Sequence, residues 1–234
     1  MPARALRRAL VHVVPAILMW LLLAASFAAC GTTPEVPGVD GQVQGTGDVV
    51  TDIRDLPPFT RVSVAGGFKV ILGEGDQQQV SVGAQQNLLE AIRTEVVDGQ
   101  LIVTIPTPGV NATQPLSLTV RATAIDSVAL SNGAVGYLEH TGGDLNLDVS
   151  GGARITVIGT TPDLRLTASS GSHAMLGELE AQDAQVNLND GSAAELTVAG
   201  SLTGVADGGS TIQLTAAPAM VSVETKSGAS IQGG

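Results

Sequence analysis

One cysteine, Cys30, stands in 234 residues, so no internal disulfide can staple this fold. Aromatic residues make up only 2%, and beyond position 30 just Phe59, Phe68 and Tyr137 remain. Enzymes that cut polysaccharides on stacked β-scaffolds want aromatic platforms, paired carboxylates and basic groups, and this scarcity argues against that class. Basic side chains are also few: 11 against 22 acidic ones, a formal net charge of −11. Without the three arginines at positions 4, 7 and 8, eight face 22, a formal net of −14. Phosphate binding needs clustered Lys and Arg, so this balance argues against nucleic acid and anionic lipid surfaces as partners. There is no G-x-S-x-G elbow, no phosphate-cradling glycine loop and no GGxGxDxUx calcium repeat.

What the chain does have is a repeat. Gly133, Gly152, Gly171, Gly191, Gly209 and Gly228 recur at spacings of 19, 19, 20, 18 and 19. A small residue follows each: Ala134, Ala153, Ser172, Ser192, Ser210, Ala229. Odd offsets on either side are apolar, as in Leu145, Leu147, Val149 and Ile155, Val157. Even offsets are mostly polar, as in Asn146, Arg165, Gln185, Thr203 and Ser222. Alternation of period two makes strands with one buried face. Two short strands meeting at a glycine corner cannot bury that face alone, so the units must stack. The expectation is an all-β, single-domain, parallel β-helix-like solenoid of about 19-residue rungs, with Leu166 stacked inward between Leu147 and Val186.

Ahead of the repeat, Arg4, Arg7 and Arg8 precede an apolar run from Ala9 to Phe27 that ends in small residues and Cys30. A basic start, apolar middle and small-residue end predict a secretory signal over residues 1–29; the same run is long enough to stay as a membrane anchor. The position of the cysteine resembles a bacterial lipobox, which would make Cys30 the lipidated first residue and the lipid its membrane anchor. Phe27 stands where such boxes usually have leucine, and Gly31 resembles the outer-membrane sorting pattern of envelopes with two membranes. Residues 30–47, rich in Thr, Pro, Gly and Gln, predict a flexible tether.

Residues 48–127 predict an opening part that caps the N-terminal end, and residues 128–234 the regular rungs. Val62, Val64, Phe68, Val70 and Leu72 fit a wider first rung with its corner at Gly67. Asn87 with Glu90 predicts a capping box for a short helix over Leu88 to Ile92. Asp98-Gly99 predicts a hairpin. The stretch from Phe59 to Ile105, with its GG-aromatic rung, NLL piece and DG hairpin, followed by serine-glycine-alanine corners, resembles the head GIN domain family of auto-transporter adhesins. The resemblance spans residues 48–234; the corners Asn189-Asp190-Gly191 and Lys226-Ser227-Gly228 depart from its usual Ser-Gly. It implies an extracytoplasmic β-helix-like domain without established enzymatic activity, and it supplies no site residues.

Candidate chemistry is thin. Asp144, Asp163 and Asp183 each stand eight residues before a glycine, and on stacked rungs their carboxylates form a ladder. Hard cations favour grouped oxygens, which makes this a weak candidate calcium site; the alternative is that each Asp ends a turn and caps backbone N–H groups. His140 and His173 occupy different template positions without companion ligands for zinc and are read as lying on solvated faces. No catalytic set and no cofactor is expected. The leading function is a non-catalytic envelope lipoprotein whose solenoid binds an envelope protein or glycan. The alternative is a structural protein that self-associates edge to edge, and a polysaccharide-processing enzyme comes last.

Overall fold

Alternating apolar residues build the strands of this computed structural model, which describes residues 41–106 and 109–234. The leader, Cys30 and the first part of the tether lie outside the described residues. The unit Pro37–Gly234 has its own continuous core. Its opening part holds β1 (Val43–Gln44), β2 (Val49–Arg54), β3 (Arg61–Ala65), β4 (Phe68–Glu74) and β5 (Gln79–Gln85). Then come β6 (Arg93–Val97), β7 (Gln100–Thr104), β8 (Val110–Asn111) and β9 (Leu116–Ala122). The regular part holds β10 (Ser127–Ser131), β11 (Val135–Thr141), β12 (Leu145–Val149), β13 (Arg154–Ala168) and β14 (His173–Leu188). It ends with β15 (Ala193–Val198), β16 (Ser201–Ala206), β17 (Thr211–Leu214), β18 (Met220–Thr225) and β19 (Ser230–Gly233).

These strands form two parallel arms that meet at the glycine corners. The first arm stacks β7, β3, β10, β12, the C-terminal halves of β13 and β14, β16 and β18. The second stacks β9, β4, β11, the N-terminal parts of β13 and β14, β15, β17 and β19. The expected solenoid is therefore present, and its inward columns run in register: Leu101, Val62, Val128, Leu147, Leu166, Val186. All of these are buried.

Each corner is a four-residue turn. Ala153 N–H donates to Ser150 O at 3.1 Å, and Ala134 N–H to Ser131 O at 3.4 Å. Both central residues have positive φ: Gly152 at 73° follows Gly151 at 58°, and Gly191 at 69° follows Asp190 at 53°. Positive φ at both centres is the condition of a type I′ turn, which favours Gly, Asn and Asp. The small residue after each glycine points inward. Ser172 and Ser192 are buried there, and their hydroxyls donate to Val149 O at 2.7 Å and Ala168 O at 2.9 Å, tying each corner to the rung before it.

The opening part departs from chain order. β3 pairs with both β7 and β10, and β4 with both β9 and β11. The rung of β7 and β9 therefore lies in front of the rung of β3 and β4, although it comes later in the chain. Antiparallel β5 continues beyond β9 and carries β2 on its far side, while β6 pairs antiparallel with β7 across Asp98-Gly99. This is a mixed β end-piece.

Two local expectations are corrected. The helix over Leu88 to Ile92 is only a 3₁₀ turn at Gln86–Leu88, without a side-chain cap. Asn87 instead accepts from Thr46 N–H at 2.9 Å and donates to Gln44 O at 2.7 Å, so its amide is spent on β1 and the residues just after it. The first corner takes its positive φ at Gly66 (116°), not Gly67, which turns Phe68 fully into the core.

Candidate functional site

The solenoid offers two outward faces, and parallel register makes each a set of straight columns. The first arm is mostly polar. One column there reads Arg61, Ser127, Asn146, Arg165, Gln185, Thr203, and its neighbour Ser63, Ala129, Asp148, Thr167, Asn187.

The second arm is different. One column reads Lys69, Val135, Arg154, His173, Ala193, Thr211. The next reads Ile71, Tyr137, Thr156, Met175, Glu195, Gln213. Ile71 is 56% exposed, Val135 46% and Met175 42%, although outward positions elsewhere in the regular rungs are mostly polar. A shallow depression of about 200 Å³ opens beside His173 and Met175, where Ala193 and Ala194 leave room. Tyr137 is half-buried, and its hydroxyl donates to Glu139 Oε1 at 3.3 Å. Partial desolvation first, and then the charge of Glu139, hold that hydroxyl above its ordinary pKa.

The aspartate ladder is only partly engaged. Asp163 and Asp183 face each other in register, and Asp144 stands one rung earlier, immediately before Leu145, which pairs with Leu164. Asp183 Oδ1 accepts from Ser201 N–H at 2.7 Å and Ser201 Oγ at 2.6 Å. Asp144 and Asp163 are exposed. Among the described residues no three His, Cys, Asp or Glu side chains gather as a metal ion would need.

The two bonds from Ser201 lower the pKa of Asp183, first the hydroxyl and then the backbone N–H. A lowered carboxylate adds stability above its unfolded pKa, and that contribution is lost as pH falls through the folded value. Asp183→Asn keeps the acceptor oxygen but removes the charge. The gap in melting temperature between wild type and this variant is therefore expected at neutral pH and should close below the ordinary carboxylate range. A gap that persists unchanged in acid would show that the charge contributes nothing.

His140 was expected on a solvated face, and the structure corrects this: it is 2% exposed. It lies on the inward side of β11, opposite Gly159. Its Nε2 donates to Gly143 O at 2.8 Å, and Nδ1 lies 3.3 Å from Glu74 Oε1. Nδ1 is not aligned for a hydrogen bond to that oxygen. Glu74 also accepts from Ile125 N–H at 3.2 Å and from the Thr141 hydroxyl at 2.8 Å. One carboxylate thus joins β4, the segment before β10, and β11. Its signal in the sequence is weak, because position seven after the glycine is filled differently from rung to rung, by Gly159, Glu178 and Val198 in three later ones. His173 is half-exposed in the second-arm column, as expected.

Fold and faces together define a class: a β-solenoid with exposed ladders and no assembled catalytic set among the described residues. The chain belongs to the family "Putative auto-transporter adhesin, head GIN domain", which matches residues 58–218. Its fold is similar to that of the crystal structure of a putative adhesin from Bacteroides fragilis NCTC 9343, at 13% identity and a TM-score of 0.60. That match covers 81% of this chain and 98% of the other. A putative adhesin from Parabacteroides merdae ATCC 43184 is similar at 15% identity and TM-score 0.57, over 82% and 98%. No curated protein matches the chain.

Proposed function

We propose that this chain is a non-catalytic binding module of the cell envelope, presented to its partner by a lipid at Cys30. The observation that carries the reading is the pair of straight outward faces, in which side chains stand in register from rung to rung and, among the described residues, no set converges on a reacting point. Such a surface suits many weak contacts with an extended partner. The family name agrees with this class. An envelope protein or glycan is the partner, and the outer membrane is the anchor site where the envelope has two membranes.

Two measurements test it. Cys30→Ser is expected to release the protein from membranes or leave an unprocessed precursor, since each buried CH₂ of an acyl chain contributes about 0.8 kcal/mol to anchoring. Unchanged processing and retention would remove the lipid from the account. Residues 37–234 should bind isolated envelopes saturably and above the level of the heat-unfolded protein; equal retention of the two would end the binding-module reading.

A second reading, edge-to-edge self-association, has one observation of its own. Among the described residues β18 and β19 pair on one side only, and Met220 and Val221 there are 56% and 48% exposed. Exposed apolar strand edges template pairing with another chain. Mass that grows with concentration would favour this reading over the first.

A further inference from the structure

On the reading of the chain as a binding module, we infer that the strip of Lys69, Ile71, Val135, Tyr137, Arg154 and Met175 binds a glycan with a carboxylate on every second sugar. Lys69, Val135 and Arg154 occupy successive rungs of one column. The two cations therefore stand two rungs apart, about 9.6 Å at ~4.8 Å per rung, with an exposed uncharged residue between them. That is close to the repeat of an extended disaccharide. A chain laid along the ladder meets cation, apolar side chain, cation on one edge. On the other edge it meets Ile71, then the Tyr137 ring, then Thr156 and Met175.

The residue types fit the chemistry of a sugar acid. An Arg fork and a Lys ammonium take carboxylates. An aromatic ring with flanking aliphatic groups covers the C–H face of a sugar while hydroxyls stay wet. Tyr137 is the sole tyrosine of the chain, and both phenylalanines of the folded unit are buried, so this is the one place where an aromatic face meets solvent among the described residues.

Size decides between a glycan and a protein partner. Four rungs by two outward positions span about 14 by 7 Å, far short of the roughly 800 Å² per partner that a stable protein interface needs. A few sugars cover it. Charge sets the carboxylate density. Glu139 lies one outward position beyond Tyr137, and Glu178 faces Ile158 in that same outer column, so acid lines the far edge and holds ligand carboxylates to the Lys69–Arg154 side. Glu195 follows Met175 in register and closes the strip. With 22 acidic side chains in the chain, a densely charged polyanion is repelled, and one carboxylate per disaccharide matches the two cations.

The test uses residues 37–234 and a hyaluronan octasaccharide, which has a carboxylate on alternate sugars. A chitin hexamer is the neutral comparator and poly-glutamate the peptide comparator. Titration should show octasaccharide binding that weakens with salt and about tenfold weaker or undetectable binding of both comparators. Lys69→Ala and Arg154→Ala should each weaken it about tenfold, as expected for a lost charge-assisted bond. Tyr137→Ala should weaken it about fivefold and Tyr137→Phe hardly at all. Arg165→Ala removes the same charge from the other arm and should change nothing; melting curves confirm that each variant is folded. No octasaccharide binding, comparators that bind as tightly, or an equal loss at Arg165 would each overturn the inference. If the octasaccharide fails while envelope retention persists, this ligand class alone is wrong; if both fail, the binding-module reading falls with it.

Discussion

Leu166→Ala is expected to lower the unfolding free energy by about 2–5 kcal/mol, the usual cost of a large cavity in a tight core. Arg165→Ala, one residue away, should stay within about 0.5 kcal/mol. Leu166 is 2% exposed and stacks between Leu147 and Val186 in one inward column. A stacked rung cannot collapse around a missing side chain without shifting the backbone pairing on both sides, which places the loss toward the upper part of that range. Arg165 points outward, and its polar contact, to Gln185 Oε1 at 3.4 Å, is long and exposed. Chemical denaturation of the two variants checks this. Similar midpoints would mean that the two faces are wrongly assigned.

His140→Ala should cost about 3 kcal/mol, combining a cavity with lost partners for buried polar atoms. The ring fills an inward position, and Gly143 O keeps only the Thr161 hydroxyl, at 2.8 Å, once Nε2 is gone. His140→Gln can still donate to that carbonyl and should lose less. Glu74→Ala removes the acceptor for Ile125 N–H, so exchange of that amide hydrogen should accelerate more than exchange in the later rungs. If the alanine and glutamine variants at position 140 lose equally, the Gly143 contact contributes nothing; if exchange at Ile125 is unchanged, Glu74 is not the clamp between the opening part and the rungs.

Much of the architecture was readable because it is local. Leu145, Leu147 and Val149 alternate within one strand, and period two needs no knowledge of what lies across the core. The corner glycines were readable for the same reason. Their partners in positive φ, Asn132, Gly151, Asp190 and Gly208, carry the residue types that the second position demands. The side of the strand taken by His140 was not legible, because a lone histidine has no pattern to betray it, and its contacts come from Glu74 and Gly143, 66 and three positions away.

By itself, the sequence determined the rung length, the inward and outward sides of the regular strands and, through its single cysteine, the absence of internal disulfides. Those follow from spacing and from residue supply. Tertiary structure alone decided that the rung of β7 and β9 precedes that of β3 and β4, because parallel partners far apart in the chain leave no mark on the stretch between them. It also decided that Lys69, Tyr137 and Arg154 share one strip. Register between rungs is set by how the inward side chains stack, so the outward neighbours across rungs are a consequence of a core they never touch.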